Sequence, residues 1–347
     1  MANLVYFEKW MDPIGPETIG GSDGISLKKM SFADDPDLTW QALDAAHGYQ
    51  CLPASETEER YYPGAEMVAR CPDLLAVSVS GAGYDIVNVD ACTEAGILVV
   101  NQTGSNAESV AQHVIGLMLC LSKQIIQTDR AIHRTDRNWT RWEYAGHELT
   151  GRTLGIVGLG RIGRRLAEIA KVFAMNVIAY DPYITHDDFI ARGATSVALE
   201  DLCSKSDFIS INCPLTDETN GMIGGHEFNA MKSNTIFIST ARGGIHDEVA
   251  LEKVIAANQI AGAGVDVFSV EPPAHDHPLM RFENVIASPH NAGVTTDCMF
   301  NMAKWAADQW IDIFSGKRPP RFINPDAWPK FSERYLAIMG HPVFDES

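Results

Sequence analysis

The chain has 347 residues, with 27 Lys and Arg against 45 Asp and Glu, for a formal net charge of −18. One core rarely grows past about 250–300 residues, so this length predicts two domains. The charge opposes binding to nucleic acid or to an anionic membrane. No apolar run is long enough to span a bilayer, and the start MANLVYFEKW lacks a signal peptide's basic end and cleavage site. Seven cysteines are scattered at 51, 71, 92, 120, 203, 213 and 298, without a C-x-x-C pair or metal-ligand spacing. A reduced, cytoplasmic protein with free thiols and no metal is expected.

Residues 1–101 read as a first α/β region. Strands are predicted over Leu4–Phe7, Leu27–Phe32, Tyr49–Pro53, Leu74–Val79 and Ile97–Val100, and helices near Thr39–Ala46, Ala65–Arg70 and Val89–Ala95. The fourth strand runs into Ser80-Gly81-Ala82-Gly83, a small-residue loop at a strand end, where ligands sit in open α/β sheets. Its successive N–H groups can hold a carboxylate, or the loop is a plain tight turn. Ser105 to Ile125 predicts one helix opened by a capping box, Ser105 with Glu108. The following stretch to residue 150 carries Trp139, Trp142 and Tyr144, aromatics suited to an interface, a pocket wall or local packing.

The densest signal is GRTLGIVGLGRIGRRLAEIAKVFAMNVIAYD at 151–181. Thr153–Val157 reads as a buried strand, Gly158, Gly160 and Gly163 follow as G-x-G-x-x-G, and a helical stripe of Ile162, Leu166, Ile169 and Phe173 begins at once. A second strand, Val177–Tyr180, ends in Asp181. Such a turn brings a pyrophosphate to a helix N-terminus, and the terminal acid can accept from an adenosine ribose. Strand–helix alternation continues, with strands over Phe208–Cys213, Thr235–Thr240, Gly264–Phe268 and Val285–Ser288 and helices over Leu199–Ser204, Gly225–Met231 and Glu248–Asn258. That is a doubly wound parallel sheet. A helix Thr296–Phe314 leads back, Arg321–Ile323 is extended, and Phe331–Ser347 reads as a tail lying on another surface.

Three polar sites follow successive strands of this second sheet: Arg242 in TARGG, Asp266 then Glu271 in VDVFSVEPP, and His290 in PHNAG. In a parallel sheet these carboxyl ends face the same crevice as the fingerprint turn. Arg supplies a fork for a carboxylate or carbonyl. His can protonate a carbonyl oxygen as hydride reaches carbon, and a carboxylate beside it orients the ring. Any one of them has an ordinary structural explanation. Eleven histidines are present; His275 and His277 sit in a polar loop and His246 begins a helix.

Gly158–Gly163 with Asp181, STARGG at 239–244, GVDVFSVEPP at 264–273 and SPHNAG at 288–293 resemble the D-isomer-specific 2-hydroxyacid dehydrogenase family, in that family's order and spacing. The resemblance runs from about Leu74 to Phe314. It implies a Rossmann NAD-binding domain, 102–296, inserted into a flavodoxin-like substrate-binding domain made of 1–101 and 297–347, with the active site in the cleft. It implies Arg242 as the substrate-binding arginine, Glu271 as the partner of histidine, and His290 as the acid/base. Gly81, Ala82 and Gly83 match the loop for the substrate carboxylate. Arg161 and Ile162 match the pyrophosphate turn. Cys213, Pro214 and Thr219 match adenosine-side positions, and Thr240, Ala241, Asp266 and Gly293 nicotinamide-side positions. Members are usually dimers joined through the nucleotide domains; in the family's glyoxylate/hydroxypyruvate reductases a linker tryptophan reaches the partner's active site, and Trp139 or Trp142 is the candidate match to it. His246 replaces an aliphatic residue usual in the family.

The expected activity is NAD-dependent interconversion of a 2-oxo acid and a D-2-hydroxy acid, with hinges near Asn101–Ser105 and Gly293–Asp297. Formate dehydrogenases of similar sequence carry glutamine where Glu271 stands. Phosphite dehydrogenase and the dinucleotide-sensing corepressors keep all three polar groups, so a substrate panel separates those readings. Substrate selectivity is expected from Trp10–Gly15 and the surroundings of Tyr84.

Overall fold

The computed structural model describes residues 1–53, 56–133 and 139–344. It separates into two units, Met1–Asn106 with Thr295–Ser347, and Ala107–Val294. The first unit contains β1 (Ala2–Phe7), α1 (Ile14–Gly20), β2 (Ile25–Met30), α2 (Pro36–Asp44), β3 (Gly48–Cys51), α3 (Ala65–Arg70), β4 (Ala76–Val79), α4 (Val89–Ala95) and β5 (Leu98–Val100). Its five strands are parallel in the order β2-β1-β3-β4-β5. This is the flavodoxin-like winding, in which a strand-order reversal opens a crevice at the carboxyl ends. Both faces are covered, so β3, β4 and β5 are apolar-rich and buried along their whole length, as parallel strands must be.

The second unit runs through α5 (Ala107–Ser122), α6 (Ile125–His133), β6 (Thr153–Val157), α7 (Arg161–Val172), β7 (Asn176–Tyr180), α8 (His186–Ala191), β8 (Thr195–Ser196), α9 (Leu199–Lys205), β9 (Phe208–Ile211), α10 (Gly225–Ala230), β10 (Ile236–Ser239), α11 (Glu248–Ala256), β11 (Gly262–Val265) and β12 (Val285–Ala287). Its seven strands lie in the order β12-β11-β10-β9-β6-β7-β8, all parallel. Counted from β6, that is the Rossmann order with one strand added. The fold class therefore stands as expected: two doubly wound α/β sheets. α5 packs on α7 and on β10 and β11. Among the described residues no single helix is long and apolar enough to cross a membrane.

Several local expectations fail for visible reasons. The helix expected over Ser105–Ile125 starts at Ala107, and there is no capping box: Ser105 Oγ donates to the Gln102 carbonyl, and Glu108 pairs with Arg165. It also breaks after Ser122, where the His147 amide takes the Ser122 carbonyl and Gln124 turns to φ +52°, so α6 leaves at 57°. On α7 the expected stripe holds in part: Leu166 is fully buried and Ile169 and Phe173 pack partly buried against the same core, while the fully buried positions beside Leu166 are Gly163, Ala167 and Ala170, whose small size lets the helix lie close on the sheet. His246 does not open α11; Asp247 is its N-cap and His246 is buried, bridged to Ile223.

The chain returns to the first unit through α12 (Thr296–Phe314) and α13 (Trp328–Met339). α13 replaces the expected tail. Trp328, Phe331 and Tyr335, at helical spacing, are buried with Trp310, and Tyr335 donates to the Phe314 carbonyl at 2.8 Å. Burying an apolar side chain of this kind contributes roughly 1.5–3 kcal/mol, which holds the segment to the core. Trp10 also belongs to this core: it is 8% exposed and its ring covers Gly15, so it offers no surface to a substrate.

Candidate active site

The loop joining β6 to α7 is shaped by its glycines. Gly158 sits at φ +88°, and a side chain there would strike the Asn212–Cys213 backbone, while one at Gly163 would strike the Gly158 carbonyl. Gly160 differs: a Cβ there meets nothing within 4 Å, so its backbone stands clear for a ligand to approach. The amides of Arg161 and Ile162 open α7 with no side-chain cap from Gly160, leaving an N-terminus suited to phosphate. Asp181, at the end of β7, anchors this loop by accepting from the Leu159 amide at 2.9 Å and from Tyr183 at 3.1 Å. Beside it, Thr219 Oγ1 donates to the Pro214 carbonyl at 2.7 Å and closes the loop that starts at Cys213. Burial raises the Cys213 thiol to about 11, so it remains neutral.

The loops after β10, β11 and β12 carry the polar groups. Arg242 directs Nη1 to the Ala241 carbonyl at 2.7 Å and is partly buried. A side chain at Gly243 would strike the Phe268 carbonyl, so the Arg242 loop lies directly on the loop that carries Glu271. Glu271 accepts from the Phe268 amide at 3.0 Å through Oε1 and faces His290 Nδ1 at 2.7 Å through Oε2. Both carboxylate oxygens are thereby fixed. The pairing uses Nδ1 and leaves Nε2 as the nitrogen available to another molecule. The His290 side chain is 40% exposed and that of Glu271 26%.

Asp266, expected near the nicotinamide, is 0% exposed, and its carboxylate serves the chain itself. Oδ1 accepts from Ser288 Oγ at 2.6 Å and from the Asn291 amide at 2.9 Å, and Oδ2 from the Ala292 amide at 2.9 Å. A buried carboxylate is costly unless its oxygens are satisfied, and here the residues around His290 satisfy them. Gly293 ends the same loop and is half-buried. Thr240 Oγ1, at the end of β10, is buried with no hydrogen-bond partner among the described residues.

Sequence reasoning missed a second brace. Glu248, on the first turn of α11, accepts from the Ser269 amide at 2.6 Å and hydroxyl at 2.7 Å and faces His277 Nε2 at 3.0 Å. Burial works against the Glu248 carboxylate, but the Ser269 and His277 contacts outweigh it and hold the group below the usual carboxylate range. His277 was read as a polar-loop histidine; with Ser269 and Glu248 it steadies the loop bearing Glu271. Only the fold reveals this, since 21 and 29 residues separate the partners.

In the five-stranded unit, Gly81, Ala82 and Gly83 follow β4. Their amides meet no acceptor among the described residues, while the carbonyls of Gly81 and Ala82 are held by the Gln102 amide at 2.9 Å and Asn101 Nδ2 at 2.6 Å. Carbonyls tied back and amides free is the arrangement an anion needs. Residues 134–138 of the aromatic connecting stretch lie outside the described residues. Within it, Trp139 is half-buried with Nε1 unpartnered among the described residues, and Trp142 is 73% exposed.

The site residues fit a dinucleotide: an unobstructed backbone at Gly160, a helix N-terminus, a terminal acid and an orphaned hydroxyl at Thr240. Residues 115–292 match the family model described as "D-isomer specific 2-hydroxyacid dehydrogenase, NAD binding domain". The chain is 38% identical over 260 residues to the D-3-phosphoglycerate dehydrogenase of Archaeoglobus fulgidus, covering 75% of this chain and 49% of that one. It is 37% identical over 265 residues to the glyoxylate reductase of Korarchaeum cryptofilum, covering 76% and 80%. It thus spans about half the length of the phosphoglycerate dehydrogenases it matches first. Among solved structures, D-lactate dehydrogenase from Aquifex aeolicus, complexed with NAD and lactic acid, superposes with a TM-score of 0.78 at 26% identity, covering 92% of this chain and 99% of that one. The matched domain makes NAD the cofactor that the fingerprint serves. The chain belongs to the D-isomer specific 2-hydroxyacid dehydrogenase family.

Proposed function

We propose that this protein is an NAD-dependent oxidoreductase that interconverts a 2-oxo acid and a D-2-hydroxy acid. The observation that carries the reading is the His290 Nδ1–Glu271 Oε2 contact of 2.7 Å, on loops at the carboxyl ends of the sheet that bears the fingerprint. When bound, the dinucleotide supplies or accepts the hydride. The chain does the rest. Arg242 is assigned to the substrate carboxylate and to orienting the C2 carbonyl. The amides of Gly81, Ala82 and Gly83, which meet no acceptor among the described residues, are by themselves suited to a carboxylate. His290, steadied by Glu271, gives its Nε2 proton to the carbonyl oxygen during reduction and takes the hydroxyl proton during oxidation.

Asp181 favours NAD(H) over NADP(H), because a carboxylate at the ribose repels a 2′-phosphate and Pro182-Tyr183-Ile184 offer no cation to offset it. A homodimer through the NAD-binding unit is also part of the proposal. Its support is apolar surface left uncovered on and after α6, with Ile125 49%, Ile132 61% and Trp142 73% exposed. Such an interface is isologous and would bury more than ~2,000 Å². Trp139 or Trp142 would then meet the partner's substrate.

The test is NADH oxidation over glyoxylate, hydroxypyruvate, 3-phosphohydroxypyruvate, and branched and aromatic 2-oxo acids, with phosphite and NAD as a separate arm. Turnover of a 2-oxo acid supports the reading. Turnover of phosphite alone, or of nothing despite NADH binding, replaces it with another chemistry on the scaffold or with dinucleotide sensing.

A further inference from the structure

His290 is a non-glycine residue at φ +53°, in the left-handed region that side chains avoid. Such a conformation persists only where the surroundings over-determine it. Asp266 supplies part of that constraint: besides its carboxylate contacts, its carbonyl accepts from the His290 amide at 2.7 Å. The rest comes from α5. Ser109 Oγ donates to the Ala292 carbonyl at 2.6 Å, and His113 Nε2 lies 3.2 Å from Ser288 Oγ. Residues 109 and 113 are one helical turn apart and share a face. They grip the loop two residues before and two residues after His290.

Donor accounting sets the direction of the second contact. Ser288 has one hydroxyl proton and gives it to Asp266 Oδ1 at 2.6 Å. Its oxygen can then only accept from His113, so His113 carries its proton on Nε2. The chain of donation is His113 to Ser288 to Asp266, and it ends on the carboxylate that holds the His290 loop. α5 is otherwise a core helix, with Val110, Ala111, Val114, Leu117, Met118 and Leu121 buried, and apolar packing alone does not require two polar side chains aimed at one loop.

We infer that Ser109 and His113 are positioning residues for His290, acting through Ala292 and through Ser288 and Asp266. The inference rests on the role proposed for His290. Loss of one such hydrogen bond corresponds to a change of ~5-fold.

The experiment compares wild type, His113→Ala, His113→Leu and His113→Gln by kcat, NADH Kd and hydrogen exchange of the 288–292 amides. His113→Ala and His113→Leu should lower kcat by ~3–10-fold with NADH Kd unchanged, and should speed exchange at Asn291 and Ala292. His113→Gln, whose amide can still donate, should restore both. Ser109→Ala should give a smaller loss of the same kind. Unchanged kcat and exchange in His113→Ala would overturn the inference, and so would rescue by Leu but not Gln, which would mean packing alone. If the wild type reduces no 2-oxo acid, the proposed activity fails separately, and the exchange data alone decide whether His113 holds the loop.

Discussion

The two sheets solve one problem with different chemistry. Each holds a loop at the carboxyl end of a parallel strand to which a ligand-binding role is proposed. In the seven-stranded unit the loops are tied by carboxylates: Asp266 holds the His290 loop, Glu248 the Glu271 loop, and Asp181 the glycine turn. In the five-stranded unit the Gly81–Gly83 loop is held from behind by neutral groups. Gln102 and Asn101 tie its carbonyls, Gln309 Nε2 donates to the Asn101 carbonyl at 3.1 Å and to Gln102 Oε1 at 3.0 Å, and Gln50 Nε2 reaches Ser80 Oγ at 3.2 Å. Trp310 Nε1 fixes Gln50 in turn at 2.9 Å. The difference fits the roles proposed for the two loops. A loop that positions a proton donor tolerates fixed negative charge behind it. A loop whose free amides are to receive a carboxylate does not, least of all in a chain of net charge −18.

The comparison breaks first at the proton donor. His290→Ala should lower kcat by ~10²–10⁴ while NADH Kd is kept, because the proposed general acid is lost and the nucleotide loops are not touched. Arg242→Ala should impair KM and kcat together, since its guanidinium is assigned to the substrate throughout. Retained turnover in His290→Ala would mean another group gives the proton.

The next largest effect separates the two kinds of brace. Asp266→Asn keeps the shape but turns one acceptor into a donor facing the Ala292 or Asn291 amide. It should cost about 1–3 kcal/mol in stability and fall on kcat. Gln309→Leu strips donors from the Asn101 carbonyl and Gln102 Oε1, and an acceptor from the Arg321 amide at 3.1 Å. It should cost a similar amount and fall mainly on KM for the 2-oxo acid. Denaturant unfolding with steady-state kinetics on both variants checks this. The same kcat–KM pattern in both would erase the distinction.

How much of this was legible depends on what holds each residue. The run from Thr153 to Asp181 was readable because period, glycines and terminal acid are local and agree. The pairing of Glu271 with His290 could be anticipated from strand-end placement. The braces could not: Glu248 with Ser269, and Asp266 with Ser288 and Ala292, join residues more than twenty apart, and an acid at a strand end looks the same whether it faces a ligand or its own backbone. Ser105 with Glu108 carried a capping-box signature, yet Gln102 and Arg165 outcompeted it. α13 was misread because its apolar residues, Trp328, Phe331 and Tyr335, are buried in a core whose other members, Trp310 and Leu98 among them, come from α12 and the sheet.

The last effect, on stability alone and confined to acid pH, concerns a residue outside both braces. His246 is 1% exposed, both ring nitrogens lack partners among the described residues, and it lies against Phe237. Burial lowers it to about 4 from 6.5, against the raising influence of Glu248 and Asp247. The unfolded chain therefore binds a proton between those values that the native chain does not. Stability contributed by neutral His246 is present above 6.5 and is lost as pH falls toward about 4, to a limit of roughly 3 kcal/mol. His246→Val should raise Tm at pH 5 more than at pH 7.5. Equal shifts at both pH values would show that His246 does not report this linkage.

The central claim is tested most directly by isotope transfer. The protein is incubated with a 2-oxo acid and NADH deuterated at nicotinamide C4, using each face of the ring in turn, and the product is analysed for position of label and for configuration. The account predicts deuterium at C2 of the D-2-hydroxy acid from one face alone, with transfer strongly reduced in His290→Ala. An L-product, or label that reaches no 2-oxo acid while NADH still binds, would contradict it.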